Sequence, residues 1–393
     1  MRRVYLDHAA TTPLDPRVFE AMTPFLKEAY GNASSVHALG RRARFAVEES
    51  RERVAALLGA EPGEIVFTSG GTEADNLAVK GASGGGEVVT SAAEHEAVLR
   101  PAEALKAAGR PVTILDPGSS GAATPEQVRG VLHEEVGLVS LMHTNNETGA
   151  RTDVPAVGAV CRAAGIPFHC DAVQAPGLAP LDVDDLGVDL LTLSAHKFNG
   201  PKGAGVLYVR GGTDLQPLVE GGAQERKRRG GTENVAAIVG LAEALTLACE
   251  DLPARAAHIA GLRDRLYRGL RGALGEAFVC NTPLGDPAAR VAPHILNVSF
   301  PPADGGDALD GEMLLLNLDM EGIMASAGSA CTSGAIEPSH VLLALGRDRA
   351  TAAATVRFSL GHANTEDEID FAVGRLAAIV RRMRGTEPAA ARC

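Results

Sequence analysis

Five short polar runs hold most of the side chains in this sequence that could do chemistry. They are Thr68-Ser69-Gly70-Gly71-Thr72, Thr90-Ser91-Ala92-Ala93-Glu94-His95, His143-Thr144-Asn145-Asn146-Glu147, His169-Cys170-Asp171-Ala172-Val173-Gln174 and Ser194-Ala195-His196-Lys197. Each follows a short apolar stretch, so each sits where a buried strand would end. Lys197 beside His196 and Ser194 reads in isolation as a surface lysine. Held among polar groups with a lowered pKa, it could instead form a Schiff base with an aldehyde cofactor. The turn Phe198-Asn199-Gly200-Pro201-Lys202-Gly203 follows and would fix the backbone there. Pyridoxal phosphate, the aldehyde cofactor of this kind, needs an acid against its ring nitrogen to remain an electron sink. Asp171 could supply it, or could be a plain turn residue. The first run, with its two glycines before a helix pattern, offers free N–H groups to an anion. An ordinary Ser/Thr helix cap explains it as well, and no Gly-Lys-Ser follows to make it a P-loop. His95 is either a capping histidine or a ring stacked on a flat cofactor.

Two further residues stand apart from these runs. Cys331 lies in Ala325-Ser326-Ala327-Gly328-Ser329-Ala330-Cys331-Thr332-Ser333-Gly334. Small residues dominate there, and the bulky apolar neighbours of a buried structural cysteine are missing, which predicts a mobile loop carrying a reactive thiol. Of the other cysteines, Cys161, Cys170, Cys249 and Cys280 lie in or beside helix and strand patterns, and Cys393 is the last residue. There is no C-x-x-C pair, so neither a zinc ribbon nor a disulfide framework is expected, and a reducing cytoplasm fits. Arg357, between Val356 and Phe358 in an alternating stretch, is either a surface residue on an edge strand or a bidentate clamp for a carboxylate.

The elements that must position these residues follow from periodicity. Apolar runs at 65–67, 87–89, 111–114, 138–142, 166–168, 190–193 and 205–209 read as buried strands, and 73–80, 99–108 and 154–164 as helices between them. Such alternation predicts an α/β fold with a mostly parallel, seven-stranded sheet flanked by helices. Ligands of such sheets bind beyond the carboxyl ends of the strands, which is where all five runs fall. After about residue 255 the texture changes to a long helix at 258–274 and strands at 295–300 and 355–360, as in a smaller α+β domain. The expected division is a large cofactor-binding domain over 16–255, and a small domain of 1–15 with 256–393 that carries the cysteine loop at about 325–335.

The chain has 393 residues, 37 basic and 49 acidic, for a net charge of −12. Such a balance argues against nucleic acid as the main partner, since phosphate binding needs clustered Lys and Arg. The one basic run, Arg226-Lys227-Arg228-Arg229, is short enough to be a solvated loop. No apolar stretch reaches membrane-spanning length, and the basic N-terminal start has no apolar core behind it, so neither membrane insertion nor a signal peptide is expected.

The sequence resembles the NifS/IscS-type cysteine desulfurases, class V aminotransferase-like, fold-type I pyridoxal-phosphate enzymes. The resemblance runs from Tyr5-Leu6-Asp7-His8-Ala9-Ala10-Thr11-Thr12 to Arg357-Phe358-Ser359-Leu360. It includes Gly31-Asn32-Ala33-Ser34-Ser35, Asn145-Asn146-Glu147-Thr148-Gly149, Ser194 to Lys197, Gly230-Gly231-Thr232-Glu233-Asn234 and Ser329-Ala330-Cys331-Thr332-Ser333. The resemblance implies that Lys197 carries pyridoxal 5'-phosphate and moves protons, that Asp171 pairs with the pyridine nitrogen, and that His95 stacks on the ring. Gln174 would bond the ring hydroxyl with Asn146 beside it, while Gly71, Thr72, Ser194 and His196 hold the phosphate. Thr232 would reach the phosphate of a neighbouring subunit, making a homodimer. Arg357, with Asn32 and Asn146, would bind the carboxylate of L-cysteine. Cys331 would take the sulfur as a persulfide, leaving alanine, and pass it to an acceptor such as an iron–sulfur scaffold or a tRNA-thiolation enzyme. No metal site is implied beyond a transient iron–sulfur contact at Cys331. A selenocysteine lyase or a class V aminotransferase would share most of these residues, although an aminotransferase has no use for Cys331. The sequence departs from the family at His8, where Asn is commoner, at Ala33, where Pro is commoner, and in a tail without the aromatic and acidic end by which IscS-type members dock a scaffold.

Overall fold

The computed structural model describes residues 2–302, 308–327 and 337–386. Among them are fourteen strands: β1 (Val4–Tyr5), β2 (Ile65–Thr68), β3 (Glu87–Ser91), β4 (Val112–Leu115), β5 (Val136–Met142), β6 (Ala150–Arg151), β7 (Phe168–Asp171), β8 (Leu190–Ser194), β9 (Gly205–Val209), β10 (Val279–Cys280), β11 (Arg290–Val291), β12 (Ile295–Ser299), β13 (Ile323–Met324) and β14 (Thr355–Ser359). Seven form one sheet in the order β2-β9-β8-β7-β5-β3-β4. Only β9 runs against its neighbours, so β2, β3, β5, β7 and β8 all end at the same edge. Strands such as β7, β8 and β9 are buried along their whole length, as expected of a sheet covered on both faces.

Proline shifts two of the expected strands. The apolar run at 166–168 suggests a strand that ends before His169, yet β7 starts at Phe168 and includes His169, Cys170 and Asp171. Pro167 has no N–H to give to a ladder and serves only as an acceptor for Val139. Pro111 is likewise left outside β4. The helix after the first polar run starts at Gly71 itself and runs to Gly81. The long C-terminal helix starts earlier than its periodicity suggests, at Leu252, with Pro253 in its first turn.

The second half builds around an antiparallel sheet in the order β10-β12-β14. The helices Leu252–Leu274 and Glu366–Met383 contribute Leu262, Leu266, Leu270, Ile369 and Leu376 to a core shared with Leu296, Val298, Val356 and Phe358. Val4 and Leu6 belong to this core, and β1 pairs in parallel with β13. The main sheet has a separate core that includes Val89, Leu141, Phe168, Leu191 and Val206. Arg357 is not on a free edge: β14 lies between β12 and a bridge to Ser326, and Arg357 is only 3% exposed. Among the described residues, no helix is long and apolar enough to cross a membrane.

The basic run is tied to protein groups. Glu225, Arg226 and Lys227 all take left-handed backbone conformations, with φ of 44°, 55° and 65°, each costing about 1–2 kcal/mol outside glycine. A buried ion pair opposes that cost. Glu225 accepts two hydrogen bonds from the Arg51 guanidinium, at 2.8 and 2.9 Å, and one from Phe67 N at 2.9 Å. Arg229 then reaches Glu73 on the helix Gly71–Gly81 at 2.8 Å, and Arg226 and Arg228 donate to the carbonyls of Pro62 and Gly63. Glu225→Ala would leave the buried Arg51 charge with only the half-exposed Glu48 carboxylate, 3.4 Å from Nε, and would remove the buried anchor of the strained loop. We expect a loss of about 3–5 kcal/mol, read as a lowered urea midpoint at unchanged m-value.

Candidate active site

The five strand ends converge on one cavity of about 210 Å³, lined by Gly71 and Thr72 after β2, His95 after β3, Asn146 after β5, Asp171 and Gln174 at and after β7, and Ser194, His196 and Lys197 at and after β8. A second cavity of about 310 Å³ adjoins it and is lined by Ala9, Ala10, Glu94, Glu147, Ser326, His340 and Arg357. His95, Asn146 and Lys197 line both. Lys197 therefore stands in the wall between a pocket built by the main sheet and one completed by β14.

Lys197 is held by the N-terminal strip. Its Nζ donates to the carbonyls of Ala9 at 2.5 Å and Ala10 at 3.0 Å. Burial, with help from the Arg357 charge and against those of Asp171 and Asp7, pulls it down to about 8. The turn behind it is tight, as its sequence suggests. Asn199 has φ 65°, its N–H donates to Thr12 Oγ1 at 2.7 Å, and Gly200 leaves no room for a side chain, since a Cβ there would lie 2.8 Å from the Ala195 carbonyl.

Asp171 ends β7 buried, with Oδ1 accepting from Val173 N at 2.9 Å. One oxygen closes a turn, as the plain reading has it, and the residue also lines the cavity. Burial raises its pKa, against the lowering influence of His95, the Val173 N–H and Lys197. Two more acids stand behind it. Asp75 and Glu94 are raised well above the usual carboxylate range, by burial first and by the Asp171 charge among the lesser causes, and each keeps one oxygen without a hydrogen-bond partner. His95 caps the helix Glu96–Ala107, its Nδ1 accepting from Ala97 N at 3.0 Å. That contact places the proton of the neutral ring on Nε2. The helix Gly71–Gly81 is capped by Gly70 with no side-chain bond, so the Ser/Thr cap is not used and the first N–H groups are left for a ligand. At Gly71 a Cβ would come within 3.0 Å of Val173 Cγ2.

These residues fit pyridoxal phosphate. The glycine-capped helix start, with Ser194 and His196 nearby, suits a dianionic phosphate. The cluster of buried acids with Asp171 at its front suits a ring nitrogen that carries a proton. The amine of Lys197 lies between the two cavities.

Arg357 enters from the other side. It donates to the Asn146 carbonyl at 2.9 Å, Asp7 Oδ1 at 3.0 Å and Ser326 Oγ at 2.8 Å, and so presents a guanidinium to the second cavity. Asn32 and Thr232 are not brought to either cavity. Both are exposed, and Asn32 Oδ1 accepts from Ser34 N at 2.8 Å. Cys331 lies outside the described residues. The segments on either side of it are fixed to the site: Ser326 exchanges backbone bonds with Arg357, Ser339 Oγ donates to Glu147 Oε2 at 2.5 Å, and His340 Nε2 lies 2.9 Å from the Glu94 carbonyl.

Sequence reasoning missed Asp75, Glu94 and Glu147 as buried acids and the anchors Ser339 and His340. Asp75 had a signal, since it follows Gly71 by one helical turn and shares its face. Ser339 and His340 had none, because their partners are almost 200 residues or more away.

Comparison with known proteins agrees with this geometry. Residues 4–371 match the family model for aminotransferase class-V. A cysteine desulfurase IscS of Dictyoglomus turgidum is 42% identical over 98% of this chain and 97% of its own length. One of an Anaeromyxobacter species is 46% identical over 98% and 94%. Among solved structures, a NifS-like protein superimposes with a TM-score of 0.88 at 37% identity, covering 97% of this chain and all of its own. SspA in complex with cysteine gives 0.78 at 34%, covering 92% and 99%. The chain belongs to the class-V aminotransferase family of pyridoxal-phosphate enzymes, among its IscS/NifS-type cysteine desulfurases.

Proposed function

We propose that this protein converts L-cysteine to L-alanine and transfers the sulfur to Cys331 as a persulfide. The observation that carries this reading is the place of Lys197 in the wall shared by a cofactor-sized cavity and one that presents Arg357. Bound pyridoxal phosphate would supply an electron sink that weakens the bonds at the substrate α-carbon. Lys197 anchors it and afterwards carries protons to and from the substrate carbons, a task suited to an amine near pH 8. Asp171 would hold the ring nitrogen, Gln174 and Asn146 the ring hydroxyl, His95 the ring face, and Gly71, Thr72, Ser194 and His196 the phosphate. Arg357, assisted by Asn146, takes the substrate carboxylate; Asn32, exposed and away from both cavities, is left out of that role. The Cys331 thiolate attacks the substrate sulfur. The C–S bond breaks with its electron pair left on carbon, a proton from the site completes the methyl group of alanine, and the S–S bond needs no external oxidant.

The same reading divides the chain into a large domain over 16–255 and a small one of 1–15 and 256–393. It pairs two chains so that Thr232 serves the partner's phosphate. Exposed apolar residues at Phe19, Leu26, Tyr30, Val36 and Phe45, between 55% and 87% accessible, support a covered face in that N-terminal stretch. A cytoplasmic setting and a protein acceptor, an iron–sulfur scaffold or a tRNA-thiolation enzyme, complete it.

Three outcomes are expected. Cys331→Ser should bind the cofactor with the visible spectrum of the wild type and form no alanine from cysteine in the presence of a thiol reductant. Alanine formed at the wild-type rate would remove the persulfide step and point to another lyase or an aminotransferase. The apoenzyme should capture pyridoxal phosphate faster as pH rises. The neutral amine is the reactive form, so the rate should climb about tenfold per unit well below the Lys197 pKa and level off above it, with the bend near 8 in a stopped-flow absorbance series. Arg357→Lys should keep a charge but lose the planar fork, raising KM for cysteine by about tenfold or more with a smaller change in kcat.

A further inference from the structure

Gln174 lines two neighbouring spaces. In front lies the 210 Å³ cavity. Behind lies a space of about 50 Å³, lined by Gln174 and Lys197 together with His8, His294 and His362. The Gln174 side chain is gripped at both ends of its amide. Nε2 donates to the Ala9 carbonyl at 2.9 Å, and Oε1 lies 3.3 Å from His294 Nε2. His294 immediately precedes β12 and is 3% exposed. Its Nδ1 has no hydrogen-bond partner.

These contacts determine which way the amide points. An amide oxygen turned towards the Ala9 carbonyl would set two acceptors against each other, so the nitrogen belongs there. The oxygen then meets His294, which opposes the same flip provided that Nε2 carries the ring proton. It does: burial, and then the fields of His8 on the N-terminal strip, Arg357 on β14, Arg263 on the helix Leu252–Leu274 and Lys197 after β8, pull His294 down to about 3. The ring is neutral at working pH, and its single proton lies on the nitrogen that has an acceptor. With Oε1 and one Nε2 hydrogen used, the second hydrogen is the donor left for the cavity that Gln174 lines.

We propose that His294 is a positioning residue that locks the Gln174 amide, so that a donor rather than an acceptor meets the ring hydroxyl of bound pyridoxal phosphate. The proposal rests on the reading of Gln174 as the partner of that hydroxyl. A donor there stabilises the ring oxygen as an anion and weakens its hold on the proton it shares with Lys197 Nζ. Loss of the lock therefore moves the pH midpoint of the cofactor's visible absorbance upward. The lock also joins β12 of the C-terminal sheet to the wall of the cofactor cavity.

The test uses the holoenzyme without substrate. Visible absorbance is titrated against pH for wild type, His294→Phe, His294→Gln, Gln174→Leu and the double variant His294→Phe/Gln174→Leu. Cofactor affinity is measured alongside by titrating the apoenzymes, and thermal melts establish which are folded. His294→Phe should raise the midpoint by about half a pH unit or more and weaken cofactor binding several-fold. His294→Gln, which keeps a side-chain donor at comparable reach, should restore both. In the Gln174→Leu background, His294→Phe should add nothing, as for two residues acting through one contact. If His294→Phe does not fold, His294→Asn, whose amide is too short to reach Gln174, carries the same comparison. A midpoint moved by Gln174→Leu but untouched by loss of the His294 donor would overturn the lock and leave the Gln174 reading standing. A midpoint untouched by Gln174→Leu would overturn that reading and the lock with it. A His294→Phe shift that persists in the Gln174→Leu background would show that His294 acts by another route, and would also overturn the lock.

Discussion

The carbonyl oxygen of Ala9 holds the site together. It accepts from Lys197 Nζ and from Gln174 Nε2, while the Ala9 N–H donates to Ser359 Oγ on β14. One residue of the N-terminal strip therefore touches the lysine after β8, the amide after β7 and the strand that carries Arg357. A buried ammonium needs acceptors, and two backbone carbonyls supply polarity without a second charge. A carboxylate in their place would hold the proton on Lys197 and raise its pKa. Carbonyls solvate the cation and leave burial to lower its pKa, which keeps the amine close to its reactive form.

The same strip explains how two separate cores are brought into register at the site. Val4 and Leu6 pack into the C-terminal core, Asp7 pairs with Arg357, and Thr11 and Thr12 bond to His196 and its carbonyl. Ser326, Ser339 and His340, on either side of the Cys331 segment, are fixed to Arg357, Glu147 and Glu94. The proposed chemistry calls for a carboxylate clamp and a cofactor lysine at a set separation, and a displacement of about 1 Å between them would be costly in rate. Many short contacts between N-terminal strip, main sheet and C-terminal sheet set that separation.

Much of this was legible in the sequence because the five polar runs follow apolar strands, and a parallel sheet collects its strand ends at one edge. Lys197, Asp171 and His95 were singled out that way, Arg357 by its improbable place between Val356 and Phe358, and Gln174 and Asn146 only through the family resemblance. The strand boundary at Pro167 was misjudged, because hydrophobicity alone does not register the missing N–H. His294 and Ser339 were illegible for a different reason. Their partners lie on distant segments, and nothing in the local sequence of a buried polar residue says whether its partner exists.

The buried acids give the site a charge logic that no single residue reveals. Asp171, Asp75 and Glu94 are all enclosed; the Asp171 charge raises the pKa of both others, and Glu94 adds to the rise at Asp75. Asp75 is further set among neutral groups: His169, pulled down to about 3 by burial, bridges Ser140 at 2.8 Å and Thr192 at 3.0 Å. None of these can supply a cation. Like charges at such a site cannot all ionise, so the protein holds protons on some of these acids. A ring nitrogen carrying a proton, placed against Asp171, would add to Lys197 a second charge that favours the ionised carboxylate. Its arrival would let Asp171 ionise while Asp75 and Glu94 stay neutral, and that arrangement in turn would keep the ring nitrogen protonated. On the proposed reading the cofactor and the acid cluster would fix each other's protonation state, the condition under which the ring could draw electrons from a substrate held by Arg357.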